Sequence, residues 1–223
     1  MPRKSKSVTK VIAVLNQKGG AGKTTLAINL AYALQESNAT VLLVDSDPQG
    51  SARDWSECEK NQGELLPVVA LDRENSLKDL ASISSNYQWV VIDGAPSIAK
   101  ISAAAVKVAD LVLIPVQPSP LDLWATSDLV DVIKTRQDVT DGKPKACFVV
   151  TRAHKQTKLS SEVIAALESY ELPVLEACTI NRVAYPSTLS EGLTVFHGSD
   201  KKAIFEIESI ADEIKEHVYG TSG

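Results

Sequence analysis

The chain has 223 residues, 44% hydrophobic and 23% charged, and its 23 Lys and Arg against 28 Asp and Glu give a net charge of −5. This is the composition of a globular protein, which excludes disordered, collagen-like and coiled-coil chains. The acidic balance argues against a uniformly basic nucleic-acid binder, although a local basic patch is compatible with it. The sequence contains no run of about 20 apolar residues and no signal-peptide core, so we expect a soluble, cytoplasmic protein.

Short runs rich in β-branched residues alternate with helical segments along most of the chain. The predicted strands are Val11–Leu15, Thr40–Asp45, Pro67–Leu71, Trp89–Asp93, Leu111–Pro115, Lys145–Thr151 and Pro173–Ala177. The predicted helices are Lys23–Gln35, Gly50–Asn61, Ser76–Ser84, Ile98–Val108, Leu121–Gln137, Leu159–Ser169 and Asp200–Val218. Apolar strands followed by helices predict a doubly wound α/β fold, with a mostly parallel sheet of about seven strands and helices on both faces. No linker divides the sequence, so residues 1–223 are predicted to form a single domain, with residues 1–10 as a flexible basic tail.

The last predicted helix is amphipathic, with Ile204, Ile207, Ile210 and Ile214 at helical spacing on one face and mainly acidic residues on the other. Interfacial membrane helices favour Lys and Arg on the polar face, and anionic lipids repel acidic ones. We therefore expect this helix to dock on the domain and expect no membrane partner.

A glycine-rich loop between the first strand and the first helix has the sequence NQKGGAGKTT at residues 16–25. Its glycines let consecutive N–H groups point into one concavity, and the helix N-terminus beneath adds partial positive charge. Lys23 can reach the β- and γ-phosphates of a nucleotide, and the Thr24 hydroxyl stands where Mg²⁺ is ligated. The predicted nucleotide-binding residues of the loop are Lys18, Gly19, Gly20, Ala21, Gly22, Lys23, Thr24 and Thr25.

The loop departs from the standard pattern Gly-x-x-x-x-Gly-Lys-Ser/Thr at one place, because Gln17 stands where the first glycine is expected. A second lysine, Lys18, immediately precedes the glycine pair. The remaining glycines, the Lys-Thr pair and the flanking strand and helix all agree, so we predict a phosphate-binding loop of unusual type.

Two aspartates end predicted strands, Asp45 the second and Asp93 the fourth. Carboxylates at the carboxyl ends of strands border the crevice where open α/β sheets bind ligands. Beside a Mg²⁺-nucleotide, one of them could hold metal-bound water and the other could orient the attacking water. We therefore predict that both aspartates belong to the site.

These motifs resemble those of the deviant-Walker ATPases of the ParA/MinD group. The resemblance rests on the segments Lys18–Thr25, Asp45–Gln49, Val91–Ser97, Pro115–Asp122 and Arg182–Pro186 with Glu191–Phe196. The first three segments are specific for the superfamily, and the others are similar to those of plasmid and chromosome partition ATPases. The resemblance extends from about Val11 to the C-terminus and implies a P-loop NTPase fold.

The resemblance implies an ATPase that uses ATP and Mg²⁺ and forms a homodimer when ATP binds. Lys18 matches the signature lysine that reaches the phosphates of the partner subunit, and supplying this charge in trans would tie hydrolysis to dimerisation. Asp45 matches the carboxylate that positions the hydrolytic water, and Asp93 matches the aspartate that acts on Mg²⁺ through water. The residues expected in catalysis are thus Lys18, Lys23 and Asp45, and those expected near the metal are Thr24, Asp93 and Asp45.

Contacts to the base are expected at Thr151 and Arg152, which stand where many relatives carry an adenine-contacting asparagine. The sequence has no Asn-Lys-x-Asp guanine motif, which favours ATP over GTP.

The chain is most similar to the small ParF-like partition ATPases, which lack an N-terminal helix-turn-helix extension. This implies an ATP-hydrolysing DNA segregation protein that associates with the nucleoid by binding nonspecific DNA. A centromere-binding partner of the ParB or ParG type would stimulate it. The residues expected to contact DNA phosphates are Arg182, Lys201 and Lys202, with Lys155 and Lys158 behind them.

Three alternatives remain open. A MinD-like spatial regulator would need a basic amphipathic C-terminus, whereas this one is acidic. A conjugative DNA-transfer accessory ATPase would carry the same motifs. A metabolic or metal-cluster enzyme of the superfamily would bridge subunits with paired cysteines or add a substrate pocket, and Cys58, Cys147 and Cys178 are widely separated.

Overall fold

The structure is a computed structural model that describes residues 8–73, 75–96, 100–153 and 158–220. Its strands are β1 (Lys10–Val14), β2 (Val41–Asp45), β3 (Val68–Ala70), β4 (Trp89–Asp93), β5 (Leu111–Val116) and β6 (Lys145–Val150). They form one six-stranded sheet in the order β3-β2-β4-β1-β5-β6, and every neighbouring pair is parallel.

The helices follow the strands along the chain. They are α1 (Lys23–Glu36), α2 (Ser51–Glu57), α3 (Leu80–Ile83), α4 (Lys100–Val108), α5 (Pro120–Trp124), α6 (Ser127–Asp138), α7 (Lys158–Glu168), α8 (Ala184–Ser190) and α9 (Lys201–Tyr219). Short 3₁₀ helices lie at Ser76–Asp79 and Val195–His197.

Helices cover both faces of the sheet, which confirms the doubly wound α/β prediction. Alternate side chains of a strand point to opposite faces. Ile12 and Val14 of β1 accordingly lie in the apolar core beneath α1 and α9. Val11 and Ala13 lie in the second core, beneath α4, α6 and α7.

The predicted strand Pro173–Ala177 is wrong as a seventh full strand. Phe148 N–H donates to the Pro173 carbonyl at 2.8 Å and Leu175 N–H to the Phe148 carbonyl at 2.9 Å, but only isolated bridges form beside β6. The next two N–H groups, of Glu176 and Ala177, donate instead to the Glu213 carboxylate at 2.9 and 2.6 Å. Because alternate N–H groups of a strand face the same neighbour, the α9 side chain takes the Ala177 N–H that a longer strand would have donated to β6.

Some predicted boundaries also move. The predicted helix Leu121–Gln137 is two helices, α5 and α6, and the Thr126 hydroxyl at their junction donates to the Leu123 carbonyl at 2.7 Å. Such a side-chain bond offers the backbone an alternative to continued helix. Lys10 begins β1 and is not part of a tail, while residues 1–7 and 97–99, which include the predicted start Ile98, lie outside the described residues.

Helix α9 docks on the domain, as predicted. Its residues Ala203, Ile207, Ile210 and Ile214 are buried in the core that also contains α1. Within the described ranges, no helix combines the length and apolar character needed to cross a membrane.

Candidate functional site

The loop between β1 and α1 is shaped by its glycines. Gly20 and Gly22 have φ of +78° and +89°, in the left-handed region that glycine adopts without a Cβ penalty. Gly22 stands at the N-cap of α1, where it has no side chain to cap the first N–H groups, and the first turn of the helix carries no acidic residue. Open N–H groups at a helix N-terminus make an anion site, so the loop has the form a phosphate requires.

Side chains from the neighbouring strand ends hold this loop in place. Gln117 Nε2 donates to the Gly20 carbonyl at 2.6 Å, and Thr151 Oγ1 donates to the Ala21 carbonyl at 3.0 Å. Thr151, expected at the base, is therefore bonded to the phosphate-loop backbone. These two bonds tie the loop backbone to the segments that follow β5 and β6.

Lys23 lies inside the loop and is only 7% exposed. Its Nζ donates to the Lys18 carbonyl at 3.0 Å, across the turn that the loop makes. Burial lowers the Lys23 pKa, while the charges of Asp93 and Asp47 raise it. A cation is therefore held at the centre of the predicted phosphate site.

The two predicted carboxylates lie side by side. Asp45 ends β2, Asp93 ends β4, and the two are partners in the parallel register of these strands. Both are fully buried. The strand-end argument from the sequence therefore brings them to one place, next to Lys23.

Asp45 is surrounded by donors. Its Oδ1 accepts the Asp47 N–H at 3.1 Å, and its Oδ2 accepts the Arg53 N–H at 3.0 Å and Arg53 Nε at 3.3 Å. Burial raises the Asp45 pKa, and these hydrogen bonds and the guanidinium charge oppose the rise. Arg53 was not among the residues predicted from the sequence.

Asp93 has the opposite surroundings. Among the described residues, no donor reaches either of its carboxylate oxygens with normal hydrogen-bond geometry. Burial raises its pKa to about 7, although the facing Thr24 hydroxyl and the Lys23 charge lower it. A buried carboxylate beside a threonine hydroxyl is an oxygen donor set of the kind that Mg²⁺ prefers, so these residues fit the predicted metal.

Lys18 lies at the rim of the loop. Its Nζ is paired with the fully buried carboxylate of Asp122, whose second oxygen accepts the Gln117 N–H at 3.3 Å. The side chain of Lys18 remains 35% exposed. Asp122 belongs to the segment Pro115–Asp122, which carried the family resemblance but was not predicted as part of the site.

A cavity of about 110 Å³ adjoins the loop on the side of Gly22 and Thr25. Thr151 and Arg152, the residues predicted to contact the base, are among those that line it. The lining residues that the sequence prediction missed include Thr179, Asn181, Tyr185 and Pro186. The segment Arg182–Pro186 was the available signal, because it is one of the family motifs although only Arg182 in it was assigned a role, towards DNA.

The residues predicted to contact DNA are not alike. Arg182 is 17% exposed and is ion-paired with Glu206 at 2.7 Å and with Asp200 at 3.4 Å. Lys201 and Lys202 are exposed at the start of α9. Lys155 and the side chain of Lys158 lie outside the described residues.

Residues 12–195 match the CobQ/CobB/MinD/ParA nucleotide binding domain family. The chain is 32% identical over 207 residues to a protein of Halothiobacillus neapolitanus named Maintenance of carboxysome distribution protein A, covering 91% of this chain and 95% of that one. The fold is similar to that of a substituted McdA from Cyanothece in complex with ATP, with a TM-score of 0.77 at 19% identity over 94% and 97% of the two chains. It is also similar to the septum site-determining protein MinD with Mg-ADP from Pyrococcus horikoshii, with a TM-score of 0.75 at 18% identity over 94% and 97%.

Proposed function

Because the chain belongs to the CobQ/CobB/MinD/ParA family of nucleotide-binding domains, we propose that it binds and hydrolyses ATP with Mg²⁺ at the strand-end site. The arrangement of Lys23, Asp45 and Asp93 around one glycine-rich loop carries this proposal. The similar structures whose names include ATP or Mg-ADP support the choice of nucleotide and metal.

Each residue of the site would have a distinct task. The N–H groups of the loop and Lys23 bind the phosphates, and Thr24 and Asp93 would hold Mg²⁺, which neutralises developing phosphate charge when bound. Asp45, already committed to Arg53, is poorly suited to a metal and well placed to orient the attacking water. The cavity along Thr151 and Tyr185 would take the base.

Lys18 connects hydrolysis to dimerisation in this proposal. In the single chain its charge is neutralised by Asp122. In an ATP-bound homodimer it would leave Asp122 and reach the phosphates of the partner subunit. Hydrolysis is then slow until two chains and two nucleotides are together.

For the biological role we propose segregation of DNA, with nonspecific DNA bound by the dimer and a ParB- or ParG-like partner stimulating hydrolysis. Lys201 and Lys202 support the DNA contact because they are exposed. Arg182 supports the DNA contact less, because its guanidinium is already ion-paired with Glu206 and Asp200. The buried face of α9 argues against its use as a membrane anchor, and so against a MinD-like role.

A second candidate role is the positioning of a protein assembly. The relative named Maintenance of carboxysome distribution protein A, matched over nearly its whole length, favours this role. The nucleotide and DNA chemistry would be the same in both cases, so the cargo and the partner alone distinguish them.

The test measures ATP hydrolysis by the full chain with Mg²⁺, then with nonspecific plasmid DNA, then with the product of a neighbouring gene. Stimulation by both additions is expected, and a rate insensitive to both would contradict the proposed function. A neighbouring gene product that binds one specific DNA site would favour DNA as cargo, whereas one that binds only a protein assembly would favour the second role.

The Lys18→Ala variant tests the dimer mechanism. Nucleotide affinity should persist, while the stimulated rate should fall by about 100-fold because a transition-state charge is lost. Asp122→Asn is the matched control, since it breaks the same ion pair but keeps the lysine, and it should retain stimulation. An unchanged stimulated rate in Lys18→Ala would exclude the proposed role of this lysine.

A further inference from the structure

Arg53, in the first turn of α2, joins three acidic residues around the nucleotide site. Its Nε donates to Asp45 Oδ2 at 3.3 Å, its Nη2 to the Asp47 carbonyl at 3.1 Å, and its Nη1 is ion-paired with Asp72 at 2.9 Å. Asp45 ends β2, and Asp72 follows the neighbouring strand β3. One guanidinium therefore ties the ends of two strands to the start of a helix.

The turn before α2 leaves room for this guanidinium. Gly50 has a φ of +74°, and a Cβ placed there would lie 2.9 Å from Arg53 Nη2 and 3.1 Å from its Nε. Any other residue at position 50 would strain the turn and displace the guanidinium. The positive φ of Gly50 and its lack of a Cβ therefore both allow the Arg53 guanidinium to reach Asp45.

The hydrogen bonds of Asp45 show what the bridge fixes. An ionised carboxylate has about four acceptor positions. Arg53 occupies Oδ2 with its N–H and its Nε, and the Asp47 N–H occupies one position on Oδ1. Among the described residues, the position left for a further donor is on Oδ1, so a water molecule bound to Asp45 would be held at one defined place.

We propose that Arg53 is a positioning residue for hydrolysis: its guanidinium, anchored by Asp72, prevents the Asp45 carboxylate from rotating and so directs the free Oδ1 position towards the attacking water. The inference rests on the proposed function. Arg53 acts through Asp45 and is not itself assigned contact with the nucleotide.

The role depends on the fork of the guanidinium and not only on its charge. A lysine at position 53 would keep the positive charge, but a single ammonium group cannot reproduce the planar pattern that reaches Asp45, the Asp47 carbonyl and Asp72 together. The Arg53 N–H bond to Asp45 comes from the backbone and would survive any side-chain replacement. Replacing the Arg53 side chain therefore removes the bonds of the guanidinium and leaves the backbone N–H bond to Asp45 in place.

The first experiment uses the nucleotide-free protein. The Nε–H resonance of Arg53, assigned by its disappearance in Arg53→Lys, should exchange slowly with solvent because it is hydrogen-bonded. Asp72→Asn should speed this exchange by removing the outer anchor. Arg73, next to Asp72 and exposed, is the reference for an unconstrained side chain. An Arg53 signal that exchanges as fast as that of Arg73 would overturn the bridge.

The second experiment measures kcat, KM for ATP and the affinity for a fluorescent ADP analogue in Arg53→Gln, Arg53→Lys and the control Arg73→Gln. Both Arg53 variants should lower kcat about tenfold, with KM and ADP affinity changed less than about twofold, because only the reaction geometry is disturbed. Asp72→Asn should lower kcat less, and adding it to Arg53→Gln should change little, since both disrupt one unit.

The outcomes separate the two proposals. Full activity of Arg53→Lys, or a rise in KM at constant kcat, would overturn the positioning role of Arg53 while leaving the ATPase intact. A wild-type chain that never hydrolyses ATP, with or without DNA and partner, would overturn the proposed function itself.

Discussion

Asp45 and Asp93 are neighbours in the same register of β2 and β4, both fully buried, and yet their surroundings are opposite. Three donors hold the Asp45 carboxylate, two of them from Arg53. The Asp93 carboxylate receives no well-formed hydrogen bond from the described residues. The same side chain at adjacent strand ends is thus held by several protein donors in one case and, among the described residues, by no well-formed hydrogen bond in the other.

The difference indicates how the two roles are divided. A buried carboxylate without donors carries a large desolvation cost, which a cation can remove. Asp93 is therefore suited to the predicted Mg²⁺, with Thr24 beside it. A carboxylate whose orientation is already fixed by protein donors is suited to orienting a small neutral molecule such as water. Strand-end position alone makes the two aspartates equivalent, and only the family resemblance assigned them different roles.

Asp45→Ala removes the carboxylate that is held by protein donors and should have the largest effect. Loss of the carboxylate that orients water should lower kcat by about 100- to 1,000-fold, while ATP still binds through the loop. Because ATP is bound but not consumed, an ATP-bound dimer should accumulate. Turnover assays and light scattering measure the two consequences. A variant that remains monomeric with ATP would contradict the dimer part of this prediction.

Asp93→Asn replaces the carboxylate that has no well-formed hydrogen bond from the described residues, and its effect is measured on the free energy of unfolding. The pKa of Asp93 is raised from 3.8 to about 7 in the folded protein, so the folded state binds the proton more tightly than the unfolded state. Stability of the nucleotide-free protein should therefore fall as pH rises from about 4 to about 7, by at most about 1.4 kcal/mol per pH unit from this group. The asparagine does not titrate, so this contribution should vanish.

Urea unfolding in EDTA at pH 5, 6, 7 and 8 measures that difference. The stability of Asp93→Asn relative to wild type should increase up to about pH 7 and then level off. Asp45→Asn is the matched control, and its relative stability should change less with pH, because donors oppose the desolvation of Asp45. If the free energy of unfolding had the same pH dependence in wild type and in Asp93→Asn, folding would not raise the pKa of Asp93.

Much of the site could be predicted from the sequence because the necessary information is local. The loop at residues 16–25 lies between a strand and a helix, and parallel strands bring their carboxyl ends to one edge, so Lys23, Asp45 and Asp93 were predicted together. The family resemblance added the division of roles, which strand-end position alone does not give.

The missing parts depend on contacts between distant segments. Asp122 is far from Lys18 in sequence and reaches it only because β5 lies beside β1. Arg53 reaches Asp72 only because β3 lies beside β2. The prediction of a seventh strand was wrong for the same kind of reason, since Glu213 of α9 accepts the Ala177 N–H that would have continued the pairing with β6. The spacing of hydrophobic residues along the sequence contains no information about these polar contacts between distant segments.

Ser46→Ala tests whether the backbone link between Asp45 and Asp93 matters, and it should have the smallest effect. Ser46, directly after β2, donates from its N–H and its hydroxyl to the Asp93 carbonyl at 3.0 and 2.8 Å, so it joins the backbones of the two aspartates without touching their carboxylates. The alanine keeps the N–H bond and loses the hydroxyl bond, which should cost about 1 kcal/mol of unfolding free energy.

If side-chain surroundings alone distinguish Asp45 from Asp93, kcat should stay within about twofold of wild type. Urea unfolding and turnover together check this, and a tenfold loss of kcat at unchanged stability would show that the backbone link between the strands also sets the geometry of the reaction.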